Sequence, residues 1–422
     1  MMIRDVMFAF AFFYPLIMAW MWMFGGLWYY LRWERGNRTP PPVKGDPGVS
    51  IIIPCFNEEA QIRETIAYAL ASEYPDFEVI AVNDGSGDNS AAILDELAYE
   101  HPRLRVIHLA SNQGKAVALR TGALAARNEY LVCIDGDALL HPEAVHWLAF
   151  HLASGPRVGA VTGNPRILNR TTMLGKLQVG EFSSIIGLIK RAQRVYGRVF
   201  TISGVIAGFR RTALDRVGYW APDMVTEDID ISWRLQMDHW DVRYEANALT
   251  YIYMPETLRG LWKQRLRWAQ GGVEALVRHL PDLFMWRRRR FWMVALEFGV
   301  SVLWAYVILF IMLLFVVGQL VPLPPQWHIE TLLPQWNGVI LGVTCLIQFL
   351  VSLAIDRHYE PRRRFLRNYL WIIWYPLAFW VLSVFTTVAA FPRALSKPRG
   401  MRARWTSPDR GLRAEASGEG RD

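Results

Sequence analysis

Apolar positions follow two different patterns along this chain. Four stretches, 6–31, 298–329, 331–355 and 368–392, contain no Asp, Glu, Lys or Arg. About 20 apolar residues cross the hydrocarbon layer of a bilayer. The pattern therefore predicts transmembrane helices at 6–31, 298–320 and 335–355, with a Pro-rich polar patch, 321–335, dividing the last two. The stretch 368–392 predicts either a full crossing or a re-entrant segment, which its Tyr375-Pro376 would permit. The first stretch is too long and too rich in Trp and Tyr for a signal peptide, and no small-residue cleavage site follows it. It reads as an anchor.

Between the first two spans the pattern changes. Short apolar runs at 49–53, 77–82, 104–109 and 130–134 read as strands. Amphipathic segments at 57–71, 89–100 and 114–127 read as helices. Strands alternating with helices of about 10–15 residues predict crossover units and a mainly parallel sheet. The fold class is thus α/β: a Rossmann-like domain at 45–254, with α-helical transmembrane segments added. Residues 255–290 predict amphipathic helices at the membrane surface, and 173–196 a further such helix. A basic tail occupies 393–422, and the Pro-rich 39–42 reads as a stiff linker.

Composition narrows the class. The 52% hydrophobic content excludes a disordered chain. The 19 Trp, 16 Tyr and 21 Phe suit the aromatic belts of membrane proteins more than a soluble globule. Three scattered cysteines, Cys55, Cys133 and Cys345, make neither a disulfide framework nor a zinc site. The net charge of +8 is concentrated beside the spans, at Arg32, Arg35 and Arg38 and at Arg287 to Arg290. That places the polar domain in the cytoplasm by the positive-inside rule, and favours a membrane-lipid partner over a nucleic acid polymer. A fourth full crossing would put the basic tail outside, against the same rule. A transporter or receptor would carry charges within the spans, and these four stretches have none.

Ligands of such sheets bind beyond the carboxyl ends of the strands. Asn57 and Glu58, Asp84, and Asp135 and Asp137 sit at those ends. Gly85-Ser-Gly87 mimics a dinucleotide fingerprint but lacks the third glycine, and Asp84 and Asp88 would oppose a pyrophosphate. It reads more simply as a helix cap by Asp88 or Asn89. Asp135-Gly136-Asp137 is more telling. Carboxylates at i and i+2 can point the same way, and hard oxygen ligands suit Mg²⁺ or Mn²⁺. Thr226-Glu227-Asp228 forms a third acidic site. Gln264-Arg-Leu-Arg267-Trp268 follows in a basic, aromatic stretch.

The ordered series Asp84, Asp135-x-Asp137, Thr226-Glu227-Asp228 and Gln264-x-x-Arg267-Trp268 resembles the processive family-two glycosyltransferases. These include cellulose, chitin and hyaluronan synthases. Runs such as Ser50-Ile-Ile-Ile-Pro-Cys-Phe-Asn-Glu-Glu59, Gly180-Glu-Phe-Ser-Ser-Ile-Ile-Gly-Leu-Ile-Lys190 and Arg402-Ala-Arg-Trp-Thr-Ser-Pro-Asp-Arg410 point to the branch polymerising β-1,6-linked N-acetylglucosamine for biofilm matrix. The family commonly has two spans ahead of the catalytic domain; one is legible here. The resemblance implies a glycosyltransferase A-type fold, UDP-N-acetylglucosamine as donor and a growing polysaccharide as acceptor. Asp135 and Asp137 would hold the metal. Pro54, Asn57, Glu58, Asp84, Lys115 and Asp135 would contact the nucleotide. Asp228 would be the catalytic base, Arg267 would face the diphosphate, and Gln264 and Trp268 would bind the acceptor. Residues 203–208 would form a wall of that site. A bacterial inner-membrane location, a small membrane partner and cyclic-di-GMP control are also implied. The other expectations open at this point are a different processive synthase or a polyprenyl-phosphate glycosyltransferase.

Overall fold

The computed structural model describes residues 2–36, 38–329, 336–360, 369–373, 375–398 and 400–403. The basic run 361–368 and the tail beyond 403, with Arg362–Arg364, Arg404 and Arg410, lie outside them.

Helix α1 (Met2–Tyr29) continues into a π-helical turn, Tyr30–Glu34. The polar domain follows as β1 (Val49–Cys55), α2 (Ile62–Leu70), β2 (Phe77–Asn83), α3 (Ser90–Glu100), β3 (Leu104–His108), α4 (Lys115–Ala125) and β4 (Tyr130–Ile134). Next come β5 (Leu139–Leu140), α5 (Ala144–Ala153), β6 (Val158–Ile167), α6 (Met173–Glu181), a π-helical stretch Phe182–Leu188 and α7 (Ile189–Tyr196). The domain closes with β7 (Ile206–Arg210), α8 (Arg211–Val217), α9 (Glu227–Met237) and β8 (Asp241–Ile252). Then follow α10 (Leu258–Leu283), α11 (Trp292–Leu320), α12 (Trp336–Asp356), α13 (Tyr369–Ile372) and α14 (Tyr375–Ser396).

The eight strands lie in the order β3-β2-β1-β4-β7-β6-β8-β5. Strands β1 to β4 and the β6–β8 pair are parallel, whereas β7 runs antiparallel to β4 and β6, and β5 to β8. Every residue of β1 and β2 is buried, the condition under which a parallel strand reads as a continuous apolar run. The pleat divides them between two cores. Ile51 and Ile53 face Ile62 and Ile66 of α2, while Ile52 faces Leu119 of α4 with Ile80 and Val82.

The expected helix 57–71 begins only at Ile62. Asn57 has φ +54°, and its N–H donates to Ser86 Oγ at 3.0 Å. The N–H groups of Glu58 and Glu59 donate to Ser90 Oγ and Asp88 Oδ2. These bonds pin the segment as a turn against the 85–90 loop. Asp88 Oδ1 accepts from Ser90 N–H, so the Gly85-Ser-Gly87 segment is a helix cap.

Among the described residues four helices are long and apolar enough to cross a membrane: Ile3–Glu34, Trp292–Leu320, Trp336–Asp356 and Ala378–Ser396. The α6–α7 segment is the seam between them and the sheet. Leu188 packs on Met23 of α1 and Ile355 of α12. Beside it is a buried ionic cluster. Arg191 pairs with Glu34 at 2.8 Å and Asp356 at 3.2 Å, and Arg166 with Asp356 at 2.5 Å and Glu360 at 2.6 Å. Arg170 reaches Glu360 at 2.5 Å, and Tyr359 donates its hydroxyl to Glu34.

Helix α14 is attached to the catalytic side at both ends. Tyr375 packs edge-on against Phe349 within the main core. At the far end Lys397 Nζ donates to Asp223 O at 2.6 Å and meets Glu274 at 3.0 Å. Ala403 N–H then donates to Pro222 O, and Arg402 bonds Gln113.

Candidate active site

The site lies where β1, β2 and β4 end, under the start of α9. Pro54 is on β1, and Asn57 and Glu58 are in the turn after it. Glycine at 136 lets the β4 loop close on this turn, because a Cβ there would meet Pro54 O at 2.8 Å. Asp84 is fully buried, and its two oxygens accept from Gln113 and Gly114 N–H at 2.8 Å each. Burial raises its carboxyl above the usual value despite those bonds. Asp84 thus fixes the loop leading into α4, and so aims Lys115.

Lys115 is the hub. Its ammonium lies 2.5 Å from Asp135 and 3.0 Å from Glu227, and donates to Gly204 O at 3.3 Å. It joins the carboxylates of two motifs, Asp135 and Glu227. Burial would depress an ammonium here, but Asp135 and Glu227 outweigh it and raise it. Asp135 is raised by burial and by the neighbouring Asp137, with Lys115 opposing.

Helix α9 begins with three acids in its first turn, where the positive end of the helix dipole favours anions. Glu227 is buried, while Asp228 is partly open. Asp228 Oδ2 accepts from Gly204 N–H at 3.2 Å and Oδ1 from its neighbour Ile229 N–H at 2.9 Å. Burial would raise Glu227, but Lys115 holds it below the ordinary carboxylate value. Burial and the adjacent Glu227 charge push Asp228 up to about 6. Two adjacent acids are thereby separated into a permanent anion and a base that ionises near neutrality, the division that general-base chemistry requires.

The 203–208 segment passes close to these groups at Gly204. A Cβ on Gly204 would lie 3.0 Å from Asp228 Oδ2 and 3.3 Å from Lys115 Nζ. Gly204→Ala is expected to slow turnover about tenfold to a hundredfold, the scale of a small misplacement of reacting groups. Initial rates on protein shown to be inserted and folded check this.

From α10, Arg267 is exposed and lies within electrostatic reach of Asp228 and Glu227. Gln264 accepts from Arg265 Nη1 at 3.0 Å. Trp268 is half-buried, 6.2 Å from the Phe182 ring, with the Arg265 guanidinium 4.2 Å over its face. Gln264 and Trp268 thus sit at the seam with the α6–α7 segment. The tail closes the opposite side, where Met401, Arg402 and Ala403 line a cavity with Asn112 and Gln113. Sequence reading missed the backbone donors to Asp84, the Lys115 bridges and the tail contact. None leaves a local pattern, since each joins distant segments.

Among the described residues no group of three or more His, Cys, Asp or Glu is placed to hold a metal. Asp135 and Asp137 are two carboxylates crowded together. Divalent Mg²⁺ is commonly held by one or two carboxylates plus substrate phosphates, so this pair fits such an ion.

Carboxylates gathered beyond parallel strands, one of them raised toward neutrality, fit the class of A-type-fold glycosyltransferases. The family profile described as "Glycosyltransferase like family 2" matches residues 47–271. The chain is 36% identical over 408 residues to the poly-beta-1,6-N-acetyl-D-glucosamine synthase of Staphylococcus epidermidis, covering 96% of this chain and 98% of that one. The same figures hold for the synthase of that name from Staphylococcus aureus strain COL. In fold it is similar to a mannosyltransferase from Pyrobaculum calidifontis solved with GDP-Man and Mn²⁺. The TM-score is 0.61 at 19% identity, over 93% of this chain and 98% of that chain. The chain belongs to glycosyltransferase family 2.

Proposed function

We propose that this chain is a membrane-embedded, inverting, processive glycosyltransferase. It polymerises N-acetylglucosamine from UDP-N-acetylglucosamine into β-1,6-linked polysaccharide and passes the product to its own membrane helices for export. The similarity to synthases of that name extends over nearly the whole chain. The observation that carries the reaction is Asp228, a partly open carboxylate raised to about 6 and oriented by the Gly204 N–H. In the proposed step, an acceptor hydroxyl oxygen bonds to the anomeric carbon of the donor. The bond from that carbon to the diphosphate breaks, and its electron pair leaves with UDP. The acceptor proton passes to Asp228. One displacement inverts the configuration, with no sugar bound covalently to the enzyme.

Asp135 and Asp137 would hold Mg²⁺ or Mn²⁺, which supplies Lewis-acid stabilisation of the departing diphosphate. Arg267 adds a fixed cation toward the same charge. Pro54, Asn57, Glu58 and Asp84 shape the nucleotide end, with Lys115 keeping Asp135 and Glu227 ionised beside it. Trp268 offers an apolar face to the acceptor sugar, and Gln264 a hydrogen-bonding amide. The catalytic domain is cytoplasmic, at a bacterial inner membrane, as its basic flanks suggest. Helix α14 in this reading returns to the catalytic side rather than making a fourth crossing, and the attachment of Tyr375 and Lys397 to that side supports it. A small membrane partner and cyclic-di-GMP control have no residues assigned in this chain.

The test is to supply radiolabelled UDP-sugars to purified membranes, size the product and digest it with a β-1,6-specific hydrolase. A high-molecular-weight, digestible polymer from UDP-N-acetylglucosamine alone is expected. A single sugar on a lipid, or a need for UDP-glucuronate, sinks the reading. Asp137→Ala is expected to lose metal-dependent UDP binding together with activity. Calorimetry with UDP and Mn²⁺ measures it, and an unchanged metal-dependent affinity removes Asp137 from the site.

A further inference from the structure

Beneath the base lies a charged side chain that the reaction above does not use. Lys190, on α7, is 5% exposed. Its ammonium donates to Thr162 Oγ1 of β6 at 3.2 Å. The same hydroxyl accepts from Ser203 N–H at 2.8 Å, and the next N–H, that of Gly204, holds Asp228 Oδ2. An amine buried on an amphipathic helix would ordinarily turn outward to water. Lys190 instead turns into the sheet, one hydroxyl and one backbone segment away from the base, and within electrostatic reach of Asp228.

We infer that Lys190 is a positioning residue for the general base: it braces the Ser203–Gly204 wall through Thr162, and its charge favours the ionised form of Asp228. This rests on Asp228 being the base. The other charges around Asp228 are Glu227 on its own helix, Lys115 from α4 and Arg267 from α10. Lys115 is occupied by Asp135 and Glu227, and Arg267 is exposed and screened. On α7 the adjacent Arg191 is committed to Glu34 and Asp356. Among the described residues, Lys190 is thus a buried cation whose electrostatic partner is Asp228.

Burial lowers the Lys190 ammonium to about 7, against the opposing pull of Asp228. The sign follows directly. Near pH 6 Lys190 is charged and holds Asp228 ionised. Near pH 8 it is largely neutral, but Asp228 is then ionised without help. Removing the charge therefore penalises activity at the acid end.

The test compares pH profiles of polymer formation by the full-length chain in membranes, with wild type, Lys190→Met, Lys190→Arg and Asp228→Asn. Lys190→Met is expected to move the acid limb up by about half a pH unit or more, giving a loss roughly twofold or more greater at pH 6 than at pH 8. KM for UDP-N-acetylglucosamine should change little, and Lys190→Arg should restore the acid limb. A loss equal at both pH values, or a profile identical to wild type, overturns the inference. If Lys190→Met does not insert, Lys190→Arg decides. A permanently charged guanidinium should keep the acid limb no higher than in wild type, and an upward move overturns the inference. An active Asp228→Asn would instead refute the assignment of the base, separately from the role of Lys190.

Discussion

Asp228→Asn is expected to abolish polymer formation while UDP binding, metal binding and membrane insertion stay near wild type. The amide keeps the shape of the carboxylate, and its oxygen can still accept from Gly204 N–H or Ile229 N–H. It cannot take the proton of the acceptor hydroxyl. General-base catalysis contributes about 10²–10⁴-fold. Glu227→Gln should be milder, because Glu227 is buried against Lys115 and turned from the open site. The wild-type rate should rise through about pH 6 as Asp228 ionises. Size-fractionated product from radiolabelled UDP-N-acetylglucosamine measures all three. A rate for Asp228→Asn within about tenfold of wild type, or Glu227→Gln as the deader variant, would show that the base lies elsewhere.

The second large effect concerns stability. Arg191 is 1% exposed and Asp356 is fully buried. Arg191→Met leaves Glu34 and Asp356 short of a cation in a site that water does not reach. Breaking a buried pair from one side costs about 3–5 kcal/mol, enough to remove most of the folded protein. Adding Glu34→Gln should recover part of the loss, since one of the uncompensated charges goes with it. The exposed Arg216–Asp238 pair is the control, and Arg216→Met should leave the melt near wild type. Thermal melts of the detergent-solubilised variants check the order. Equal melts for Arg191→Met and Arg216→Met would mean that the cluster does not hold the seam together.

The spans and the first four strands were legible because each is a continuous apolar run whose period or length has one good solution. The motif acids were legible because Asp135 and Asp137 share a strand end and Thr226 to Asp228 share a helix start. What escaped depends on distance along the chain. Lys115 meets Asp135 and Glu227 only where the sheet brings α4, β4 and α9 together, so no local pattern shows those bridges. The antiparallel pairing of β7 with β4 leaves no trace in a run such as Ile206–Arg210, whose burial is the same in either direction. The late start of α2 follows from hydrogen bonds to residues 86–90, which no helical period reveals. Lys190 stood inside a quoted run without a role, because the amphipathic pattern around it predicts a lysine facing water.

The ionic cluster at the seam also dictates an order of biosynthesis. Glu34 and its partner Arg191 are 157 residues apart, and Arg166 and Asp356 are 190 apart. A chain leaving the ribosome displays Arg166 and Arg191 long before Asp356 and Glu360 exist. The sheet can therefore form early and meet α1 through Glu34 and Arg191, but the seam is complete only when the third long apolar helix has been made and inserted. Until Asp356 and Glu360 arrive, Arg166 lacks both of its carboxylate partners across the seam.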